Sequence, residues 1–265
     1  MNKIKILKLK NFPILKQLQL EEALYRTPNT GNWIILNEGT PEPIVIVGVS
    51  GKADKLVNLK QTKERNIQTM RRFSGGGTVV ADENTIFSSI LLEFNSFKQF
   101  YPHMKSFYPK DIMKWSAEHF YNKVFIPHQD FSLQEHDYAF GERKFGGNAQ
   151  SFCKEKFLHH TSFLWDFKDD NMMSCLKQPE KIPEYRQNRD HLSFLCKLKD
   201  RYHTKDQVFN NFIQTINNIP SLHSIEEVSL KDAESFLQNN HFKANQIYNY
   251  NLNVWENIKN DYNNI

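Results

Sequence analysis

Cysteine is scarce here: Cys153, Cys175 and Cys196 are the only three in 265 residues, and no Cys-x-x-Cys pair occurs. An odd, scattered set excludes a disulfide framework and points to a reducing compartment. None of the three belongs to a Cys/His set with zinc-ligand spacing. Also missing is any apolar run of the ~18–20 residues that a membrane-spanning helix needs. Residues 1–8 are basic, but no apolar block or small-residue cleavage site follows them, so no secretory signal is expected. The excess of positive charge is small, +4 from 34 Lys and Arg against 30 Asp and Glu. That is too little for nucleic acid as the main partner and enough for steering toward an acidic protein. Internal repeats and low-complexity linkers are absent too. What remains is a globular chain, expected to be cytoplasmic, with room for one large domain or one plus a small one.

Aromatic residues are plentiful, 21 Phe among them, and are expected to fill the core. Leu18, Leu20, Ala23 and Leu24 suggest an early helix ending near Thr27-Pro28. Residues 33–36, 44–48 and 86–94 read as strands of β-branched and apolar residues. A short helix is expected within 52–70, a longer one over 112–124, and a hairpin from Tyr138-Ala139-Phe140 through Gly141-Glu142-Arg143 into Lys144-Phe145. Pro179 and Pro183 mark a loop. Helices are expected near 205–216, 230–237 and 244–258, with a frayed Asn-rich end over 260–265. Strands early and helices late predict an α/β fold of the α+β kind, a mixed β-sheet with flanking helices.

Two cationic, glycine-rich stretches stand out. In the first, Arg71-Arg72-Phe73-Ser74-Gly75-Gly76-Gly77-Thr78-Val79-Val80, glycines let the backbone approach a ligand closely. Exposed N–H groups in such a turn form an anion site, and arginine adds a planar fork suited to phosphate or carboxylate. The second is Gly141-Glu142-Arg143-Lys144-Phe145-Gly146-Gly147-Asn148-Ala149-Gln150. A fixed ammonium on a strand can neutralise a carboxylate and a phosphate as they react, and Asn148 and Gln150 offer neutral hydrogen bonds. Each stretch alone is also compatible with a solvated surface turn; the pair makes a phosphate-plus-carboxylate site.

With His159-His160-Thr161-Ser162-Phe163-Leu164 following in order, these motifs resemble the lipoate–protein ligase A family over about residues 18–194. The resemblance implies a biotin/lipoate ligase-like catalytic domain of class II tRNA synthetase-like architecture over residues 1–220. It leaves residues 221–265 as a helical C-terminal extension in place of the full accessory domain of bacterial ligases. It implies ATP-dependent activation of lipoate to lipoyl-AMP and transfer to a lysine of a lipoyl domain. Lys144 aligns with the motif lysine that contacts the lipoyl carboxyl and the adenylate phosphate. Arg72, Gly77, Thr78, Val79 and Val80 align with ATP-binding positions. Ser74, Gly75 and Gly76, with Gly147 and Asn148, would bind lipoate, the dithiolane needing an apolar slot. Ala149 and His160 are secondary candidates. No metal ligand is assigned; magnesium enters with ATP, and Asp82 and Asp137 are candidates for its neighbourhood. The implied partners are lipoyl domains of 2-oxoacid dehydrogenase complexes or the glycine cleavage H protein, with the accessory domain either reduced or on a separate protein.

The chain departs from the family pattern at three places. Ala81-Asp82 stands for His-Asp, Gly146-Gly147 for Ser-Gly, and His159-His160-Thr161 for His-His-Gly. These departures keep open a lipoate- or lipoyl-domain-binding protein with reduced catalysis. An ATP-independent octanoyl or lipoyl transferase is a further alternative. It would use a cysteine thioester, but residues 131–140 hold no cysteine and Cys153 lies downstream of the lysine motif. A strand carrying His159 and His160 places one imidazole on each face. Arg186 and Arg189 are candidates for contacting phosphate or the acceptor domain, or are simply solvated.

Overall fold

Lysines at 3, 5, 8 and 10 interleave with Ile4, Ile6, Leu7 and Leu9, and the stretch forms strand β1 (Lys3–Lys10) with its aliphatic side chains buried. The computed structural model describes residues 3–126, 128–177, 183–187 and 189–239. The strands that follow are β2 (Asn32–Glu38), β3 (Ile44–Val47), β4 (Gln68–Arg71), β5 (Val79–Ala81) and β6 (Thr85–Glu93). Then come β7 (Phe131–Gln134), β8 (Asp137–Phe140), β9 (Arg143–Phe152), β10 (Lys156–Leu164) and β11 (Ser224–Val228). Eight of them form one sheet in the order β11-β1-β2-β6-β10-β9-β8-β7, and β4-β3-β5 form a small second sheet. The first three strands of the large sheet run parallel and the rest antiparallel. The mixed sheet with flanking helices is the architecture expected from the sequence.

The two faces of the large sheet are packed differently. One face carries the aromatic core, in which Trp115, Phe120, Tyr121, Phe125, Phe145, Phe163 and Phe212 are almost completely enclosed. It is covered by the helical stretch from Pro109 to Val124 and by the helix Lys205–Asn217. The other face is covered by helix α1 (Ile14–Arg26), the helix Leu230–Asn239 and the small sheet, through Leu18, Leu24, Ile46, Met70, Phe87 and Leu158. Among the described residues, no helix is long and apolar enough to cross a membrane.

The expected helices at the start, at 112–124 and at 205–216 are present. Within 52–70 the chain makes two short helices, Ala53–Leu56 and Leu59–Glu64, before entering β4. The helix expected near 230–237 is present as Leu230–Asn239, and the larger correction concerns the residues from 221 up to it, also expected to be helical. They contain β11, which pairs in parallel with β1 from Lys3 opposite Ser224 to Leu7 opposite Val228. Its sequence, Ser-Ile-Glu-Glu-Val, carries only two apolar residues, too few to signal a strand locally. What holds it is the free edge of β1 and the ion pairs Lys3–Glu226 (2.6 Å) and Lys8–Glu227 (2.8 Å). The helix expected over 244–258, the frayed end over 260–265 and the Pro179 part of the loop lie outside the described residues.

His159 and His191 give the fold an acid sensitivity. Burial first, then the neighbouring His160, pushes His159 down from 6.5 to about 3. Burial, with Arg186 and Lys144 nearby, pushes His191 to about 4. Above pH 6.5 both rings are neutral whether the chain is folded or not. Below it the unfolded chain takes up protons that the folded one refuses, so stability falls as the pH drops from 6.5 toward 4. For the enclosed His159 alone the loss approaches ~1.4 kcal/mol per pH unit. Urea midpoints measured at pH 7 and pH 5 should show this drop. It should shrink in His159→Gln, and an equal drop in that variant would refute the assignment.

Candidate active site

A cavity of about 410 Å³ opens between α1, the small sheet and strands β6, β10 and β9. Its wall includes Gly76, Gly77, Thr78, Val79 and Val80 from the first motif, and Lys144, Gly147, Asn148 and Ala149 from the second. Arg72, Asp137 and His160 also line it. The apolar part of the wall comes from Ile14, Leu18, Ile46, Phe87, Leu164 and Phe194. The two motifs touch: a Cβ on Gly76 would lie 2.9 Å from the Asn148 carbonyl oxygen and 3.2 Å from the Ala149 Cβ. Gly76 has φ +105°, a conformation that favours glycine.

Lys144 reaches the cavity because β9 is irregular. The β8–β9 pairing steps from Tyr138 opposite Gly146 to Ala139 opposite Lys144, leaving Phe145 as the extra residue of a bulge. Phe145 is fully buried in the aromatic core. A Cβ on Gly146 would collide with the Phe163 ring at 2.9 Å, whereas a Cβ on Gly147 would lie 3.6 Å from the Lys144 Nζ. The bulge thus turns Phe145 and Gly146 to the core and Lys144 and Gly147 to the cavity. Gly146 is therefore a packing requirement of this core. Lys144 Nζ pairs with Asp137 Oδ1 at 2.8 Å, and both side chains are mostly enclosed. Asp137, a candidate for the surroundings of magnesium, is instead bound to the motif lysine.

Arg72 is almost fully buried. Its Nη2 donates to the carbonyls of Gly75 (2.9 Å) and Gly77 (2.8 Å), so the guanidinium holds the glycine loop in shape from within. Its Nε has no partner in the structure, and burial lowers its pKa to about 10. Thr78 Oγ1, bordering the cavity, is likewise unpartnered. Ser74 and Gly75 do not line the cavity. Ser74 is fully buried, and its Oγ lies 2.8 Å from His160 Nε2. Asp82 also lies off the cavity wall, its carboxylate accepting from the Asn84 N–H at 2.8 Å in a turn.

The two histidines divide as strand geometry requires. His159 faces the core, with Nε2 3.1 Å from the Tyr138 hydroxyl and Nδ1 3.0 Å from Gln150 Nε2. His160 faces the cavity, and its Nδ1 sits 2.9 Å from Glu21 Oε2. Glu21 also accepts from Ser89 Oγ (2.6 Å) and Gln17 Nε2 (2.8 Å). Sequence reading passed over Gln17, Glu21 and Ser89; the available signal was a polar pair four residues apart on the apolar side of α1. Thr161 donates to Asn148 Oδ1 at 2.6 Å and so fixes that side chain. Cys153 is exposed at the turn between β9 and β10 and is not part of the cavity wall, while Cys175 and Cys196 are buried.

A strap formed by residues 183–187 and 189–196 adds Pro183, Arg186, His191, Phe194 and Leu195 to the wall. It is held to β9 by the Cys196 N–H donating to the Lys144 carbonyl (2.9 Å) and by Arg189 Nη2 donating to the Glu142 carbonyl (3.0 Å). Arg186 packs over the Phe194 ring, so this arginine is not simply solvated.

Residues 13–217 match the family model described as the lipoyl protein ligase A/B catalytic domain. Among curated proteins, the chain is 28% identical over 318 aligned positions to the inactive lipoate–protein ligase 2 of Plasmodium falciparum, covering 96% of this chain and 82% of that one. It is 26% identical over 208 positions to the lipoate-protein ligase LplJ of Bacillus subtilis, covering 74% of this chain but only 58% of that protein's length. Among solved structures, the bipartite lipoate protein ligase of Thermoplasma acidophilum, reported with its E2 lipoyl domain, superposes with a TM-score of 0.70. Its identity is 21%, over 92% of this chain and 94% of the other. A lipoate-protein ligase A bound with ATP gives 0.67 at 20% identity, over 92% and 96%. At these identities the structural likenesses establish the fold.

Proposed function

The chain belongs to the lipoyl protein ligase A/B catalytic-domain family, and from that premise we propose that it activates lipoate with ATP and passes the lipoyl group to a lysine of a lipoyl domain. The observation that carries this reading is the shared cavity. A glycine loop with open backbone, an ammonium and an apolar wall border one space. In the first step a lipoate carboxylate oxygen bonds to the α-phosphorus of ATP, and pyrophosphate leaves. In the second the acceptor amine bonds to the acyl carbon, and AMP leaves with the electrons of the broken bond. Both steps bring anions together, and Lys144 offsets their repulsion where enclosure strengthens its attraction for them. The backbone of residues 76–78 and the free Thr78 hydroxyl supply donors for the nucleotide. Ile14, Leu18 and Phe87 offer the apolar surface that an acyl chain needs.

Magnesium has a place in this proposal only as the counter-ion of the triphosphate, because the described residues bring together no group of three or more carboxylate, imidazole or thiol ligands. Mg²⁺ is commonly held by substrate phosphates and one or two carboxylates. Asp137 is already engaged by Lys144, and no step is assigned to the metal. The proposed catalytic unit takes in β11 and the helix Leu230–Asn239 as well as the expected residues 1–220, because both complete the sheet and its cover. Acceptors would be lipoyl domains of dehydrogenase complexes or the H protein, and an accessory-domain protein would act as a separate chain; the Thermoplasma ligase is itself bipartite.

A second reading, lipoate binding without turnover, is favoured by the name of the Plasmodium relative. One experiment separates the two. The protein is incubated with ATP, magnesium and, in parallel, lipoate, octanoate and biotin, and pyrophosphate and acyl-AMP are measured. Lipoyl-AMP formation is the expected result. Lipoate binding by calorimetry with no adenylate would overturn the ligase reading in favour of the second.

A further inference from the structure

Resting on the ligase reading for its purpose but not for its geometry, we propose that Tyr185 is a positioning residue for Lys144, acting through Asp137. The Tyr185 hydroxyl donates to Asp137 Oδ2 at 3.0 Å, while Lys144 Nζ takes Oδ1 at 2.8 Å. One carboxylate is thus shared between a phenol from the strap and the ammonium from β9.

The phenol is firmly placed. Its backbone N–H donates to Glu135 Oε1 (3.2 Å), and its carbonyl accepts from Arg189 Nη2 (2.7 Å). Its ring packs on Phe194 with centroids 5.0 Å apart. Burial, reinforced by the Asp137 carboxylate, raises the phenol's pKa far above its usual value, so the group stays a donor.

Sharing has an electrostatic consequence. An ammonium held by both oxygens of a buried carboxylate is poorly available to a substrate anion. A phenol bonded to Oδ2 fixes the carboxylate plane and draws off part of its charge. Lys144 is then left in a single-oxygen pair that an incoming carboxylate or phosphate can displace. The strap that walls the cavity thereby sets how free the lysine is.

The test removes one oxygen atom and keeps the ring on Phe194: Tyr185→Phe. The availability of Lys144 is read without substrate, as its rate of trace acetylation by acetic anhydride relative to the other lysines, by mass spectrometry. Without the phenol hydroxyl the carboxylate closes on the ammonium, and Lys144 should label about fivefold more slowly. In an Asp137→Asn background the same change should alter labelling less than about twofold, because the coupling passes through the carboxylate. Half-saturation by lipoate should rise about fivefold with kcat within about twofold. Unchanged or faster labelling in Tyr185→Phe, or an equal slowing in the Asn background, would overturn the proposal. Failure of the ligase reading would appear instead as wild-type protein that makes no adenylate.

Discussion

Replacing Lys144 by alanine should reduce lipoyl-AMP formation by roughly 10³-fold, the scale of losing one charge-stabilising group from an enclosed site. The side chain borders the cavity, and it is paired with Asp137. The fold should survive. Phe145 and Gly146, turned the other way by the bulge, keep the core contacts of β9, and Asp137 retains the Tyr185 hydroxyl. The urea midpoint of Lys144→Ala should therefore stay near that of the wild type while single-turnover adenylate formation collapses. Normal turnover in this variant would remove Lys144 from the mechanism. Arginine is not an adequate substitute, since its wide planar fork differs from a compact ammonium and would have to fit against Gly147.

Gly48→Ala should produce the second large effect, through backbone collision. A Cβ at this position would fall 2.1 Å from the Gly76 carbonyl oxygen and 3.3 Å from Arg72 Nη2. Neither neighbour can give way easily. Gly76 is fixed between Arg72 and Asn148, and the Val49 N–H donates to the Ser74 carbonyl while the Arg72 N–H donates to the Val47 carbonyl. The glycine loop would have to lift off β3, at a cost of ~2–4 kcal/mol. For a chain of this size that lowers Tm by roughly 5–10 °C. ATP affinity should fall at least about tenfold because the loop is displaced, not merely softened. Gly75→Ala is the control for stability: a Cβ there meets nothing within 4 Å, so its Tm should stay within about 2 °C. Equal Tm values for the two variants would refute the collision.

Much of the site could be read before the structure, for a physical reason. Glycine runs beside cations and a histidine pair are short-range signals, and the residues that use them are neighbours in the chain. Thus Gly76 to Val80, Lys144, Gly147, Asn148, Ala149 and His160 do meet around one cavity. What could not be read came from how the loop folds on itself and from distant parts of the chain. Arg72 spends its guanidinium on Gly75 and Gly77 because the loop folds back over it. Glu21 becomes a partner of His160 only once α1 lies across β10. The bulge at Phe145 depends on core packing against Phe140 and Phe163, which no spacing rule encodes. In the fold, β2, β3 and β6 announced themselves as continuous apolar runs. β1 alternates lysines with its buried aliphatics, and β11, at the sheet edge, carries glutamates and is held largely by β1.

That last pairing bears on how the protein is made. β1 is made before its two neighbours in the sheet: β2 follows it after about twenty residues, but the strand that shields its outer side begins only at Ser224. Until β11 is made, the nascent chain must carry an uncovered row of peptide groups, a standing invitation to pair with another copy. The lysines along β1 are the safeguard available during that interval. Two β1 edges brought together would set like charges against each other, whereas the glutamates of the chain's own late strand pair with Lys3 and Lys8.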